Sequence, residues 1–160
     1  MSSKQLQFIL ARAACLLVEA YSRTLVEYRN ILPLDGRVGL DAPSTYDGLK
    51  ADAAKGFLKV STEHNTTSIY GASGNLTFRT FHDYGHLLYA RQFTTEDEVA
   101  LARFQWQDLK GYLPAEWVDV CHCVYMADTV EQSLYEAQYG DFPADQKAFV
   151  LNFLQQHFTA

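Results

Sequence analysis

The chain has 160 residues, of which 48% are hydrophobic and 20% charged, with a net charge of −6. That length and balance describe one globular domain with a sizeable core and exclude an intrinsically disordered chain. Excess acid without a Lys/Arg cluster excludes a sequence-independent nucleic-acid binder, and no apolar run is long enough to span a membrane. The three cysteines, Cys15, Cys121 and Cys123, form no disulfide framework. Cys121-His122-Cys123 occupies adjacent helix positions that point in different directions and cannot converge on one ion. Met1-Ser2-Ser3-Lys4 leads straight into an amphipathic pattern without a signal peptide, so the expected location is the cytoplasm.

Leu6, Ile9, Leu10, Ala13, Leu17, Ala20, Tyr21 and Tyr28 recur at helical spacing and predict one long helix over 3–31. Pro33, Asp35-Gly36, Gly39 and Pro43 mark a loop. A shorter helix is predicted from Tyr46 to Val60. Residues 61–76, with Asn65, Gly71, Ser73, Gly74 and Asn75, read as an irregular excursion that has room for a small hairpin around Thr66, Thr67 and Ile69. Helical periodicity resumes over 77–92. Thr95-Glu96-Asp97-Glu98 has the capping-box pattern for a helix over 95–111. Pro114 suits the first turn of the next helix, which runs to Gly140. Pro143 and Asp145 open a last helix with Phe149, Phe153 and Leu154 on its apolar side. The prediction is an all-α, single-domain bundle of about six helices.

Chemistry concentrates in Phe78-Arg79-Thr80-Phe81-His82-Asp83-Tyr84-Gly85-His86. Helix positions three and four apart are neighbours, so Arg79, His82, Asp83 and His86 share one face. His82 and His86 stand one turn apart, the spacing at which two imidazoles of one helix reach a single ion. A solvated helix face is ordinarily built from Lys and Glu, and this one has neither. A second signal lies after Pro114, where the stripe Trp117, Val118, Cys121, Val124 and Tyr125 meets Asp128, Glu131 and Gln132. Carboxylates on a core-facing stripe need partners, which a metal, the His82 cluster, Arg79 or Arg103 can supply. Glu98 and Gln105 lie two turns apart on one face with Ala102 between them, an arrangement that can line a pocket. Glu98 is also placed by the capping pattern with Thr95, the role that its spacing favours.

The string His82-Asp83-Tyr84-Gly85-His86-Leu87 resembles the core motif of the HD-domain metal-dependent phosphohydrolases. The resemblance implies a His-Asp doublet and a later Asp, here Asp128 after Ala127, binding divalent metal that activates water against a phosphoester. Residues 76–149 are also similar to small uncharacterised bacteriophage-encoded proteins. The shared positions are Phe78-Arg79, His82-Asp83, His86, Glu98, Gln132 with Tyr135, and Gln146-Lys147. That likeness implies a phage origin and no particular activity.

Two functions follow as expectations. One is a metal-dependent hydrolase for a nucleotide or another phosphoester, a small anionic substrate. Its divalent metal is held by His82, His86 and Asp128, with Asp83, Glu98 and Arg79 as catalytic groups and Gln132, Glu131 and Gln105 around them. The other is a non-catalytic phage-type protein that binds and modulates a host protein, a role that suits an acidic, aromatic-rich helical domain. A zincin-type peptidase would need Glu directly after the first His, where this chain has the shorter Asp83.

Overall fold

A computed structural model of the chain describes residues 1–159 and has an all-α architecture with one two-stranded sheet. Helix α1 spans Ser3–Ile31 and starts on a capping box: Ser2 Oγ accepts from Gln5 N–H at 3.2 Å, and Gln5 Oε1 accepts from Ser2 N–H at 2.8 Å. It buries Leu6, Leu10, Ala13, Leu17, Ala20, Tyr21, Leu25 and Tyr28, as its periodicity predicts. Helices α3 (Gly71–Tyr89), α4 (Thr95–Leu109), α5 (Val118–Met126) and α7 (Gln146–Thr159) pack against this central rod. A π turn over Ala127–Glu131 joins α5 to α6 (Gln132–Tyr139) without a break, so the described residues build six helical rods.

The sheet lies where none was expected. Asp35–Val38 (β1) pairs in parallel with Phe57–Val60 (β2), and α2 (Tyr46–Ala54) is the crossover between them. The predicted helix over 46–60 stops at Ala54 because Gly56 takes φ 94°, a left-handed conformation that ends the helix and turns the chain into β2. Leu58 and Val60 then bury themselves while the residues of β1 stay exposed. Residues 61–76 form no hairpin: Asn65–Thr67 is a single 3-10 turn, and α3 already begins at Gly71. The poor helix formers of that first turn are overridden by packing. A Cβ on Gly74 would lie 2.9 Å from Val18 Cγ2, so the glycine lets α3 approach α1 closely.

Aromatic rings form the middle of the core. Phe81 of α3 stacks on Tyr21 with ring centroids 4.7 Å apart and on Tyr28 at 5.7 Å, both from α1. That stack fixes the rotation of α3 and thereby sends the next residue, His82, toward α4. Phe81→Ala should therefore cost about 3–5 kcal/mol of stability, as removal of a fully buried ring generally does. Urea denaturation followed by circular dichroism measures the loss, and a cost under about 1 kcal/mol would contradict this placement of the ring.

Candidate metal centre

Helices α3 and α4 run into one another through a tight turn at 90–94, and their facing surfaces bring three side chains to one point. His82 Nε2 lies 2.8 Å from Glu98 Oε2, His86 Nε2 lies 2.9 Å from Glu98 Oε1, and the two Nε2 atoms are 3.2 Å apart. Imidazole and carboxylate ligands bound at about 2.0–2.2 Å sit roughly 2.9–3.4 Å from one another in tetrahedral or octahedral arrangements. The three side chains thus form a group that can hold a metal ion. His86 is fully enclosed at 1% side-chain exposure, whereas His82 and Glu98 retain 20% and 23% and open onto a cavity.

The turn after α3 orients His86. Ala90 adopts φ 51°, an uncommon left-handed conformation for a non-glycine residue, and brings the Arg91 carbonyl back over the helix end. His86 Nδ1 lies 2.7 Å from that carbonyl oxygen. A carbonyl only accepts, so Nδ1 carries the proton and Nε2 presents its lone pair to Glu98 unless a second proton makes the ring cationic. Phe93 closes this side, with its ring 4.6 Å from the imidazole of His86, and Phe78 stacks on His82 at 5.6 Å.

Glu98 occupies a role that its sequence position did not favour. The N-cap of α4 is Thr94, whose Oγ1 accepts from Asp97 N–H at 3.2 Å, rather than Thr95. Asp97 is therefore the third helical residue, and its carboxylate accepts from Gln92 N–H at 2.8 Å. Glu98, one position further along, is free of the cap and turns inward.

The cavity beside the group measures about 810 Å³ and is lined by Arg79, His82, Glu98, Asp128, Thr129 and Gln132 among others. Asp128 shares this space with the histidine but contributes no atom to the convergent group. Its carboxyl is held by Gln132 Nε2 at 3.0 Å. Burial pushes it up to about 7, against the lowering effect of the Tyr70 hydroxyl and His82. Arg79 donates to the Ser61 carbonyl, and burial of its guanidinium lowers its pKa. Three expected residues stand elsewhere. Asp83, adjacent to His82 in sequence, lines neither the cavity nor the convergent group. Glu131 is also outside: Asp128, Thr129, Gln132 and Ser133 are the residues of this stretch that line the cavity. Gln105 is completely buried between α3 and α4 rather than lining the cavity.

Charge balance makes the group sensitive to pH. Burial works against protonation of His82, but the Glu98 carboxylate outweighs it and the net shift is upward. Burial likewise opposes ionisation of Glu98, yet His82 and His86 bring it down to about 2. Asp83 is pushed up to about 6 by burial, although His82 and His86 partly offset that. The stabilising effect of His82 is full below its unfolded value of about 6.5 and fades as pH rises through the folded value. Ionising Asp83 and Asp128 in place costs stability progressively above their unfolded value of about 3.9. Glu98 contributes in the other direction only at low pH, losing its effect as pH falls from about 4.3 toward 2. All three upward shifts have the same sign above pH 5, so metal-free protein should unfold at progressively lower urea as pH rises from about 5 to 8. Denaturation midpoints across that range check this, and a flat or rising series would contradict it. Comparison of the chain with protein-family models, curated proteins and solved structures finds no match to any of them.

Proposed function

We propose that the protein is a metal-dependent hydrolase that holds one divalent ion between His82, His86 and Glu98. Its substrate would be a small anionic molecule, a nucleotide or another phosphoester, taken up in the adjoining cavity. The observation that carries this reading is the meeting of two imidazole nitrogens and a carboxylate at ligand spacing on a cavity wall. Two histidines and one carboxylate, with the remaining directions open, is the donor set of catalytic rather than structural sites. When bound, a divalent ion supplies Lewis-acid polarisation and acidifies water.

The protein's own groups have separable tasks in this reading. Arg79 on the cavity wall attracts and orients an anionic oxygen. Asp128, whose carboxyl titrates near neutrality, accepts or returns the proton, and Gln132 holds it in place. Glu98 serves as a ligand and not as the base. Asp83 lies outside the cavity, which leaves a zincin-type peptidase without its base. A second reading, attachment to a host protein, draws on apolar side chains that α1 leaves in solvent, with Phe8 at 71% and Ile31 at 70% exposure.

Elemental analysis and calorimetric titration with zinc, manganese and iron(II) test the metal, and a panel of nucleotides and phosphoesters tests turnover. His82→Ala should abolish binding of the ion and hydrolysis while leaving the helical spectrum near that of wild type. If protein stripped of metal takes none back at micromolar concentration, the hydrolase reading is wrong and the interaction reading stands. Binding of the ion must also displace the proton from His82. Apparent affinity should therefore rise about tenfold per pH unit while that proton is present, and level off once His82 is neutral. Glu98, at about 2, is already ionised throughout and adds nothing to the slope.

A further inference from the structure

Two buried side-chain polar atoms lack a hydrogen-bond partner among the described residues, His82 Nδ1 and Gln105 Oε1. One is a potential N–H donor and the other an acceptor only. Whether they belong together depends on which way the Gln105 amide faces, and the surrounding hydrogen bonds decide that. One end of the amide lies 2.8 Å from the Phe81 carbonyl oxygen and 3.4 Å from Tyr28 Oη. A carbonyl oxygen cannot donate, so that end must be the NH2 group.

Tyr28 confirms the direction independently. Its hydroxyl lies 2.7 Å from Asp108 Oδ2, which also receives the Tyr89 hydroxyl at 2.6 Å. A carboxylate accepts, so Tyr28 donates outward to Asp108 and keeps its oxygen lone pair for the Gln105 NH2. The chain of donors therefore runs one way, and the amide oxygen is left on the side of α3. There Gly85 matters: a Cβ at this position would lie 2.2 Å from Gln105 Nε2 and 2.8 Å from Oε1. The absence of a side chain allows the amide to lie directly on the helix that carries His82 and His86.

We infer that Gln105 is a positioning residue for His82: its amide oxygen accepts the Nδ1–H of the imidazole and so directs Nε2 to the point shared with Glu98 and His86. The inference rests on the proposed metal centre for its functional meaning, but the hydrogen bond itself does not require an ion. His82 is then oriented by a side-chain amide as His86 is by the Arg91 carbonyl, and both rings present the same nitrogen to the shared point. Partners of this kind hold the tautomer and the ring plane of a metal-binding histidine, and their loss generally weakens binding of the ion about 10–100-fold.

The test uses two variants of the full chain, Gln105→Leu, which removes the acceptor, and Gly85→Ala, which keeps the amide and pushes it aside. In metal-free protein at mildly acidic pH, nitrogen-15 NMR should show a slowly exchanging His82 Nδ1–H in wild type. That proton should exchange much faster in both variants, while the Nδ1–H of His86 keeps its protection in each. Zinc affinity measured by calorimetry should fall about 10–100-fold with the donor set intact. Equal exchange of the His82 proton in wild type and in folded Gly85→Ala or Gln105→Leu would overturn the inference, and so would unchanged zinc affinity in both. A wild-type protein that protects this proton yet takes up no zinc would instead sink the metal centre and leave the Gln105–His82 bond standing.

Discussion

A single carboxylate between two imidazoles organises this half of the molecule. Glu98 reaches His82 with one oxygen and His86 with the other, and these contacts tie α3 to α4 at the mouth of the cavity. His86 in turn holds the Arg91 carbonyl and so secures the turn that lets α4 begin where it does. The group is short of positive charge. With Nδ1 of His86 committed to a carbonyl, a lone pair and a carboxylate oxygen face each other at 2.9 Å, which is repulsive unless a proton or a cation lies between them. The upward shift of His82 and the downward shift of Glu98 express the same demand. The proposed ion would satisfy it more completely than a shared proton.

Neighbouring carboxyl groups respond to the same field. Asp128 and Asp83 are both pushed upward by burial; the Tyr70 hydroxyl and then His82 partly offset this for Asp128, and His82 and His86 do so for Asp83. A carboxyl that titrates near neutrality in a cavity is costly if its only role is structural, since an apolar residue would fill the space without the penalty. Asp128 also sits on the π turn, an irregularity that persists in helices mostly where a side chain has to be aimed. Thr129 Oγ1 bonds back to the Tyr125 carbonyl at 2.7 Å and supplies part of the compensation for the disturbed helix ladder. The irregularity and the buried acid therefore occur together.

The legible parts of the sequence were those set by period. The long α1 and the His82/His86 pair follow from spacing alone, and of the three polar residues at which the core-facing stripe turns, Asp128, Glu131 and Gln132, the first and last line the cavity beside His82. Errors arose where a register or a tertiary contact decides. Thr94 and Thr95 are equally good caps, and moving the cap by one residue takes Glu98 from the helix start to the side of His82 and His86. The strand Asp35–Val38 is short, polar and exposed, so only its partner Phe57–Val60 makes it a strand. Glu131, expected beside Asp128 and Gln132 on one stripe, lies outside the cavity that those two line.

Gln105 shows how a sequence can point to a residue for an incomplete reason. Its spacing from Glu98 suggested a pocket wall, and it is instead completely buried, with its role determined by partners on two other helices, Phe81 and Gly85 on α3 and Tyr28 on α1, and by Asp108 of its own helix beyond Tyr28. No periodicity announces such a network, because each link is a matter of which atom donates. The informative letter is Gly85, a glycine inside an otherwise regular helix, which usually costs about 1 kcal/mol relative to alanine. A glycine kept between two histidines one turn apart implies that something must lie against the backbone there. In this fold that something is an amide whose NH2 end is spoken for by the Phe81 carbonyl, which leaves its oxygen without a partner and available for the bond we infer to His82.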